Sequence, residues 1–322
     1  MYIDVNTTSE EIQSFLSELK FLKSNEFIQN VETPGEGNMN VVLRIQTNLR
    51  SFIVKQSRPF VQKYQDIAAP IERITVEHNF YSAVAGSKIA KDTPNILEFY
   101  EKSYTLIIED LGHCEDMSIL YSTRVIDKVQ LETLVDILKT IHQTKVSDIY
   151  PDNLALRKLN YQHMFVLPFL VDNGFSLDTV QDGLETLSLP YKEDALLKEK
   201  INLVGERYLA KGDTLIHGDF YPGSWMTREN HIYVIDPEFS FRGFAEFDIG
   251  VLSAHCIMAT MNANIIEDIK SLYRFDFDTK LMEQISGIEI MRRLIGIAQL
   301  PMKRSIDEKK HLLELAHSLI ID

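Results

Sequence analysis

Positive charge is scarce in this sequence. Its 322 residues hold 33 lysines and arginines against 47 aspartates and glutamates, a net charge of −14. No basic tail or stripe offsets that balance, so nucleic acid and membrane surfaces are not expected as partners. Cysteine is scarcer still. Cys114 and Cys256 are the only two, far apart and in no metal-ligand spacing. That excludes a disulfide scaffold and favours a reducing, cytoplasmic setting. Long apolar runs are missing: "HMFVLPFLV" and "IGVLSAHCIMATM" are too short to cross a bilayer as helices. The opening "MYIDVNTTSEE" has no basic segment ahead of an apolar one, so no secretory signal is expected. Internal repeats and low-complexity segments are absent. So is the phosphate-binding pattern G-x-x-x-x-G-K-[ST].

What is present is a hydrophobic content of 45%, enough for one large or two modest domains with real cores. "TTSEEIQSFLSELKFL" sets Thr8 and Glu11 at capping-box spacing, followed by Ile12, Phe15, Leu16 and Leu19 at helical spacing. "NVVLRI" and "SFIVKQ" are β-branched runs with a short polar link, which reads as a hairpin. A helix is expected over "PIERITVEHNFYSAV", and "YTLIIEDLG" reads as a buried strand ending at a glycine. Beyond it the pattern turns helical. "LETLVDILKTIHQ" lines up Leu131, Leu134, Val135, Leu138 and Ile141 on one face, and further helices are expected over 194–210, 245–261 and 279–300. The expected fold is α+β and two-lobed. A small β-rich lobe covers 1–110, a larger mainly helical lobe covers 111–322, and a cleft separates them.

The candidate chemistry sits in "LIHGDFYPGSWMTRENHIYVIDPEFSFRGFAEFDIGVL", where His217, Asp219, Asp236, Glu238 and Asp248 stand among apolar and glycine residues. Carboxylates in such surroundings are costly unless paired or metal-bound. "TLIHGD" and "HIYVID" read as adjacent strands that aim Asp219 and Asp236 at one point. Carboxylates that close repel unless a cation lies between them, and Mg²⁺ takes such ligands while keeping waters and substrate phosphates. A positioning base, Asp219, beside a metal ligand, Asp236, is the division of labour of phosphoryl transfer. The protein-kinase pattern H-x-D-x-x-x-x-N puts Asn where this chain has Ser224, and "DPE" stands in place of D-F-G.

Upstream, "PGEGNMNVVLRI" offers Gly35 and Gly37 in a loop between strands, suited to folding over phosphates. A dinucleotide fingerprint would need a third glycine at Asn40 and a helix after it. Lys55 in "FIVKQ" shares a strand face with Ile53, opposite Phe52 and Val54. It is the expected cation for the α- and β-phosphates. Glu77 is its expected partner. Glu72 competes, but Ile74, Phe80 and Tyr81 place the flank of Glu77 near the buried face.

These motifs together resemble the aminoglycoside phosphotransferase and choline kinase superfamily, and within it the methylthioribose kinases. The resemblance is carried by G-[DE]-G-N-[LM]-N at Gly35 to Asn40, V/I-K-Q at Val54 to Gln56 and "IEDLG" from Ile108. It continues through H-G-D-x-x-x-G-S from His217 to Ser224, D-P-E-F from Asp236, G-x-x-x-F-D-I-G from Gly243 and "RRLIG" from Arg292. It implies transfer of the ATP γ-phosphate, with Mg²⁺, to a hydroxyl of a small metabolite, best guessed as a methylthioribose-like sugar. Asp219 would align the acceptor hydroxyl and take its proton. Asp236 and Glu238 would hold Mg²⁺, with Ser224 as a further ligand. Gly35, Gly37, Asn38, Asn40 and Lys55, the last held by Glu77, would hold the phosphates, and the backbone of Glu109 and Leu111 the adenine edge.

Arg292, Arg293, Tyr221 and Trp225 would meet the acceptor, with Phe220, Phe241 and Phe244 nearby. His217 is expected to be structural. Asp248 would brace the catalytic loop, with a helix N-cap as the alternative. The chain departs from the family at Tyr221 and Pro222, where His-Thr is common, and at the charged Arg242 and Glu246, expected beside the acceptor pocket. An aminoglycoside, choline, ethanolamine or homoserine-type acceptor is the alternative. A pseudokinase would have lost Lys55, Asp219 or Asp236, and all three are present. A homodimer is left open.

Overall fold

The computed structural model describes residues 1–35 and 39–322. Gly37 and Asn38, expected at the phosphates, lie outside the described residues. The first lobe is built on β1 (Ile28–Glu32), β2 (Val41–Thr47), β3 (Ser51–Gln56), β6 (Ile96–Tyr100) and β7 (Thr105–Glu109). They form an antiparallel sheet in the order β1-β2-β3-β7-β6. A separate two-stranded ribbon, β4 (Phe60–Val61) with β5 (Tyr64–Ala68), precedes helix α2 (Arg73–Val84).

Alternation along β3 sorts its side chains. Phe52 and Val54 enter a small core with Ile12, Phe15 and Leu16 of helix α1 (Ser9–Glu18). Ile53 faces the other way, into the main core with Ile74, Phe80 and Tyr81 of α2. Lys55 therefore emerges on the α2 side, as the two-residue period requires. The capping box at Thr8 and Glu11 fixes the start of α1. Each large apolar side chain it buries adds about 1.5–3 kcal/mol to the attachment.

The chain leaves β7 at Glu109 and enters the second lobe. There β8 (Glu115–Asp116), β10 (Trp225–Arg228) and β11 (His231–Val234) form one small sheet, and β9 (Thr214–Ile216) pairs with β12 (Phe241–Gly243). The strands leading to Asp219 and Asp236 are thus not neighbours, contrary to the sequence expectation. β9 and β11 belong to separate sheets, and it is the His217 ring that joins their ends, donating from Nε2 to the Ile235 carbonyl at 3.0 Å.

The remaining elements are α3 (Leu120–Thr123), α4 (Lys128–Gln143), α5 (Leu154–Tyr161), α6 (Leu184–Glu193), α7 (Ala195–Leu209), α8 (Ala245–Thr260), α9 (Ile265–Tyr273), α10 (Thr279–Ile295) and α11 (Ile306–Ile321). Helix α8 is buried without interruption from Phe247 to Ala259. It packs on α10 so closely that a Cβ at Gly250 would meet the Ile285 Cβ at 2.7 Å. The helix expected over 279–300 stops at Ile295, where Gly296 breaks it. Among the described residues, no helix is long and apolar enough to cross a membrane.

Candidate active site

The loop after β9 carries Asp219, and its shape depends on two unusual contacts. Gly218 has φ +83°, and a Cβ there would lie 2.3 Å from the Phe239 carbonyl oxygen. Only glycine fits so close an approach in the left-handed region. Asp248, in the first turn of α8, accepts the His217 N–H at 2.7 Å and the Gly218 N–H at 2.9 Å. The N-cap of α8 is Phe244, so Asp248 is a loop brace and not a cap. The His142 ring of α4 reaches the same carboxylate at 3.2 Å, and its other nitrogen meets the Tyr273 hydroxyl at 2.7 Å. Three groups thus meet the oxygens of a fully buried side chain that would otherwise lack partners.

Asp219 itself is recessed. Desolvation pushes its carboxyl up to about 6, against the pull of Arg293 and Arg292. Arg293 Nη2 lies 3.8 Å from its Oδ1. A carboxylate of that basicity stays mostly ionised at neutral pH, yet can hold a proton transiently.

Asp236 follows β11 with φ 61°, a left-handed non-glycine conformation. The backbone N–H of Asp236 donates to the Tyr81 hydroxyl at 3.2 Å. Lys55 Nζ contacts the Asp236 carboxylate and lies 2.6 Å from Glu77. Burial works to lower the Lys55 ammonium, but Asp236 and Glu77 outweigh it and hold it well above the ordinary value. Glu72, the competing partner, is the N-cap residue of α2.

Glu238 is buried, and desolvation pushes its carboxyl up to about 8. It accepts from Asn40 Nδ2 at 2.8 Å and lies 3.4 Å from Arg73 Nε. Asn40 accepts in turn from Ser57 Oγ at 2.7 Å. Its side chain therefore ties the glycine loop to the D-P-E turn. Arg73 donates to the carbonyls of Arg58, Pro70, Met39 and Phe60, fixing the end of the same loop.

Two cavities meet at these residues. One is walled by Gly35, Val42, Ile53, Lys55, Ile108, Glu109 and Leu111 from the sheet and the chain leaving it, with Met226 and Asp236 below. The other is walled by Asn160, His163, Asp219, Tyr221, Arg292 and Arg293, and by Val61, Lys63 and Tyr64 of the β4–β5 ribbon. Asp219, Asp236, Lys55, Ser224, Glu238 and Arg293 border the space between them. Asp236, Glu238 and Ser224 border this space with oxygen-bearing side chains, a donor set that suits a hard cation which keeps some waters. Among the described residues, no three His, Cys, Asp or Glu side chains form a closed metal cage. Where the chain leaves β7, Arg228 donates to the Leu111 carbonyl, and Arg44 Nη2 donates to that of Gly112 at 2.7 Å.

Several expected site residues lie elsewhere. Trp225 is fully buried beside Phe220, with ring centroids 5.3 Å apart. Phe220, Phe241 and Phe244 also belong to the core. Adjacency in the chain suggests the acceptor pocket for these rings, but Trp225 and Phe241 occupy the inward faces of β10 and β12, and Phe220 and Phe244 pack into the same core from the loop after β9 and the start of α8. Arg242 pairs with Asp148, and Glu246 accepts from the Asp278 N–H. Neither is among the residues that line the two cavities. Unforeseen contributors include Tyr81, Arg73, His142 and the β4–β5 ribbon. Glu289 was also missed, although it precedes Arg292 and Arg293 by three and four positions, the spacing of neighbours on a helix.

Residues 30–283 match the model of the phosphotransferase enzyme family. A methylthioribose kinase of Exiguobacterium sibiricum is 25% identical over 292 residues, covering 83% of this chain and 72% of the relative. One from a Geobacillus species is 24% identical over 345 residues, covering 89% and 84%. Among solved structures, a spectinomycin phosphotransferase with ADP and spectinomycin superposes with a TM-score of 0.57 at 13% identity, covering 98% of this chain and 99% of that one. The choline kinase of Streptococcus pneumoniae gives 0.54 at 14% identity, covering 97% and 98%. At such identities the structures show a shared fold, the two-lobed one described above. The family model spans well over half of the sequence, and the chain belongs to the phosphotransferase enzyme family.

Proposed function

We propose that this chain is an ATP-dependent small-molecule kinase that phosphorylates a hydroxyl of a methylthioribose-like sugar. The observation that carries the reading is the meeting of two cavities at Asp219, Asp236 and Lys55. One cavity would take the nucleotide and the other the acceptor, so the γ-phosphate and the hydroxyl would meet over Asp219. In this reading residues 1–110 clamp the nucleotide, and residues 111–322 supply catalysis and acceptor binding.

Lys55, fixed by Glu77, neutralises phosphate oxygens. The backbone of Glu109 and Leu111 offers the adenine edge its partners. Asp219 orients the acceptor hydroxyl and accepts its proton, a limited task because a loose transition state asks little of a base. Asp236 and Glu238, with Ser224, would hold Mg²⁺. When bound, that ion supplies charge compensation for the transferring phosphoryl group.

The sugar reading rests on the second cavity. Arg292 and Arg293 offer fixed forks of N–H donors, which suit a polyhydroxylated acceptor. A quaternary ammonium would want open aromatic faces; Tyr64, Tyr221 and Phe239 line the cavity, but the Arg293 guanidinium already sits over the Tyr221 ring, and Trp225, Phe220, Phe241 and Phe244 are withdrawn into the core. The names of the curated relatives point the same way. The test is a coupled ADP-release assay with ATP and Mg²⁺ across methylthioribose, choline, ethanolamine, homoserine and spectinomycin. Turnover with methylthioribose far above the others supports the reading. Turnover with choline or spectinomycin alone would leave the kinase assignment and remove the sugar.

A further inference from the structure

Behind the two arginines lies a buried set of polar groups outside the reacting centre. Glu289 of α10 is wholly buried, and its two oxygens serve different partners. One accepts from Arg292 Nε, and the other accepts from Arg293 Nε at 2.8 Å. The second oxygen also lies 3.0 Å from His255 Nε2 of α8. His255 Nδ1 in turn lies 2.6 Å from the Tyr121 hydroxyl of α3. Burial drives the His255 imidazole down to about 4, so it is neutral. It therefore donates from Nε2 to Glu289 and accepts at Nδ1 from Tyr121. Burial works against ionisation of Glu289, but the two guanidinium groups outweigh it and hold its carboxylate well below the usual range.

The geometry divides each guanidinium into two working parts. Both arginines spend Nε on Glu289, and both line the second cavity. Arg293 places Nη2 near Asp219, sets its guanidinium over the Tyr221 ring at 5.0 Å, and reaches the Ala298 carbonyl with Nη1 at 3.4 Å. Adjacent helix residues normally diverge by about 100° around the axis. A shared carboxylate is what turns these two side chains toward one cavity.

We infer that Glu289, itself fixed by His255, is a positioning residue that presents Arg292 and Arg293 to the oxygens of the acceptor. The inference rests on the reading of this cavity as the acceptor site. Its test compares Glu289→Gln with the unaltered chain, using methylthioribose and ATP as varied substrates and phenylglyoxal as a probe of the arginines.

The expected result is an acceptor KM raised about tenfold or more with the ATP KM nearly unchanged. Peptide mass spectrometry should also show Arg292 and Arg293 labelled about fivefold faster. If Glu289→Gln fails to fold, His255→Leu leaves the carboxylate but frees it, and the same changes are expected at smaller size. His255→Gln, whose amide can still donate to Glu289, should recover most of that loss. Unchanged labelling in a folded variant, or a fall in kcat with both KM values intact, would overturn the inference. Labelling needs no turnover, so an absence of product with every acceptor sinks the kinase reading while this arm still decides the role of Glu289.

Discussion

Asp219 combines a recessed position, two nearby guanidinium groups and a carboxyl pushed up to about 6. If it is the base, Asp219→Asn should lower kcat about 10²- to 10⁴-fold while ATP affinity stays within a factor of about three. Calorimetry and steady-state kinetics on the same preparation would separate the two. The sign of the pH dependence follows from the raised carboxyl. The working form is ionised, so kcat/KM should level off above neutrality, fall as the pH drops below it, and be half-lost near pH 6. An acid limb near pH 4, the ordinary carboxylate range, would remove Asp219 from the role. At this scale much was legible. Strand alternation put Lys55 opposite Phe52 and Val54, and helix spacing selected Glu77 over Glu72. Trp225 was misread because nearness in the chain to Tyr221 does not say which face of β10 it occupies. Trp225→Phe should accordingly cost about 1–3 kcal/mol of stability, read from denaturant unfolding, and leave the acceptor KM unchanged. A large KM effect without loss of stability would return Trp225 to the pocket.

Elements act here as holders of turns. The β9 end is shaped by Gly218, whose missing Cβ admits the Phe239 carbonyl, and by Asp248 reaching from α8. Gly218→Ala should therefore be both destabilised, by about 2 kcal/mol or more, and nearly inactive. A folded, active Gly218→Ala would mean that the loop has room that the structure does not give it. The long helices were legible because apolar residues recur at helical spacing, and the capping box marked the start of α1. The β4–β5 ribbon was not, because Phe60–Val61 is too short to show alternation. The separation of β9 from β11 was hidden for a different reason. Each run reads as a strand on its own, but β11 pairs with β10 just before it in the chain, while β9 pairs with β12, which lies beyond that whole hairpin.

Across the whole molecule, the two lobes meet at the D-P-E turn. Asp236 contacts Lys55 of the sheet, and Glu238 is held by Asn40 and lies against Arg73. Nucleotide and metal binding should thus stabilise both lobes together. ATP with Mg²⁺ at a hundred times its dissociation constant adds about 2.7 kcal/mol, enough to raise the melting temperature by several degrees. Asp236→Ala should lose the Mg²⁺-dependent part of that rise. An equal rise with and without Mg²⁺ in the unaltered chain would take Asp236 out of the metal site.

The central claim is that the space joining the two cavities carries a phosphoryl group from ATP to a sugar hydroxyl. The most direct measurement incubates the chain with γ-labelled ATP, Mg²⁺ and methylthioribose, and identifies the labelled product by mass spectrometry beside the Asp219→Asn variant. Labelled phosphorylated sugar from the unaltered chain, and almost none from the variant, is the expected result. Label found only as inorganic phosphate, or equal product from both proteins, would contradict it.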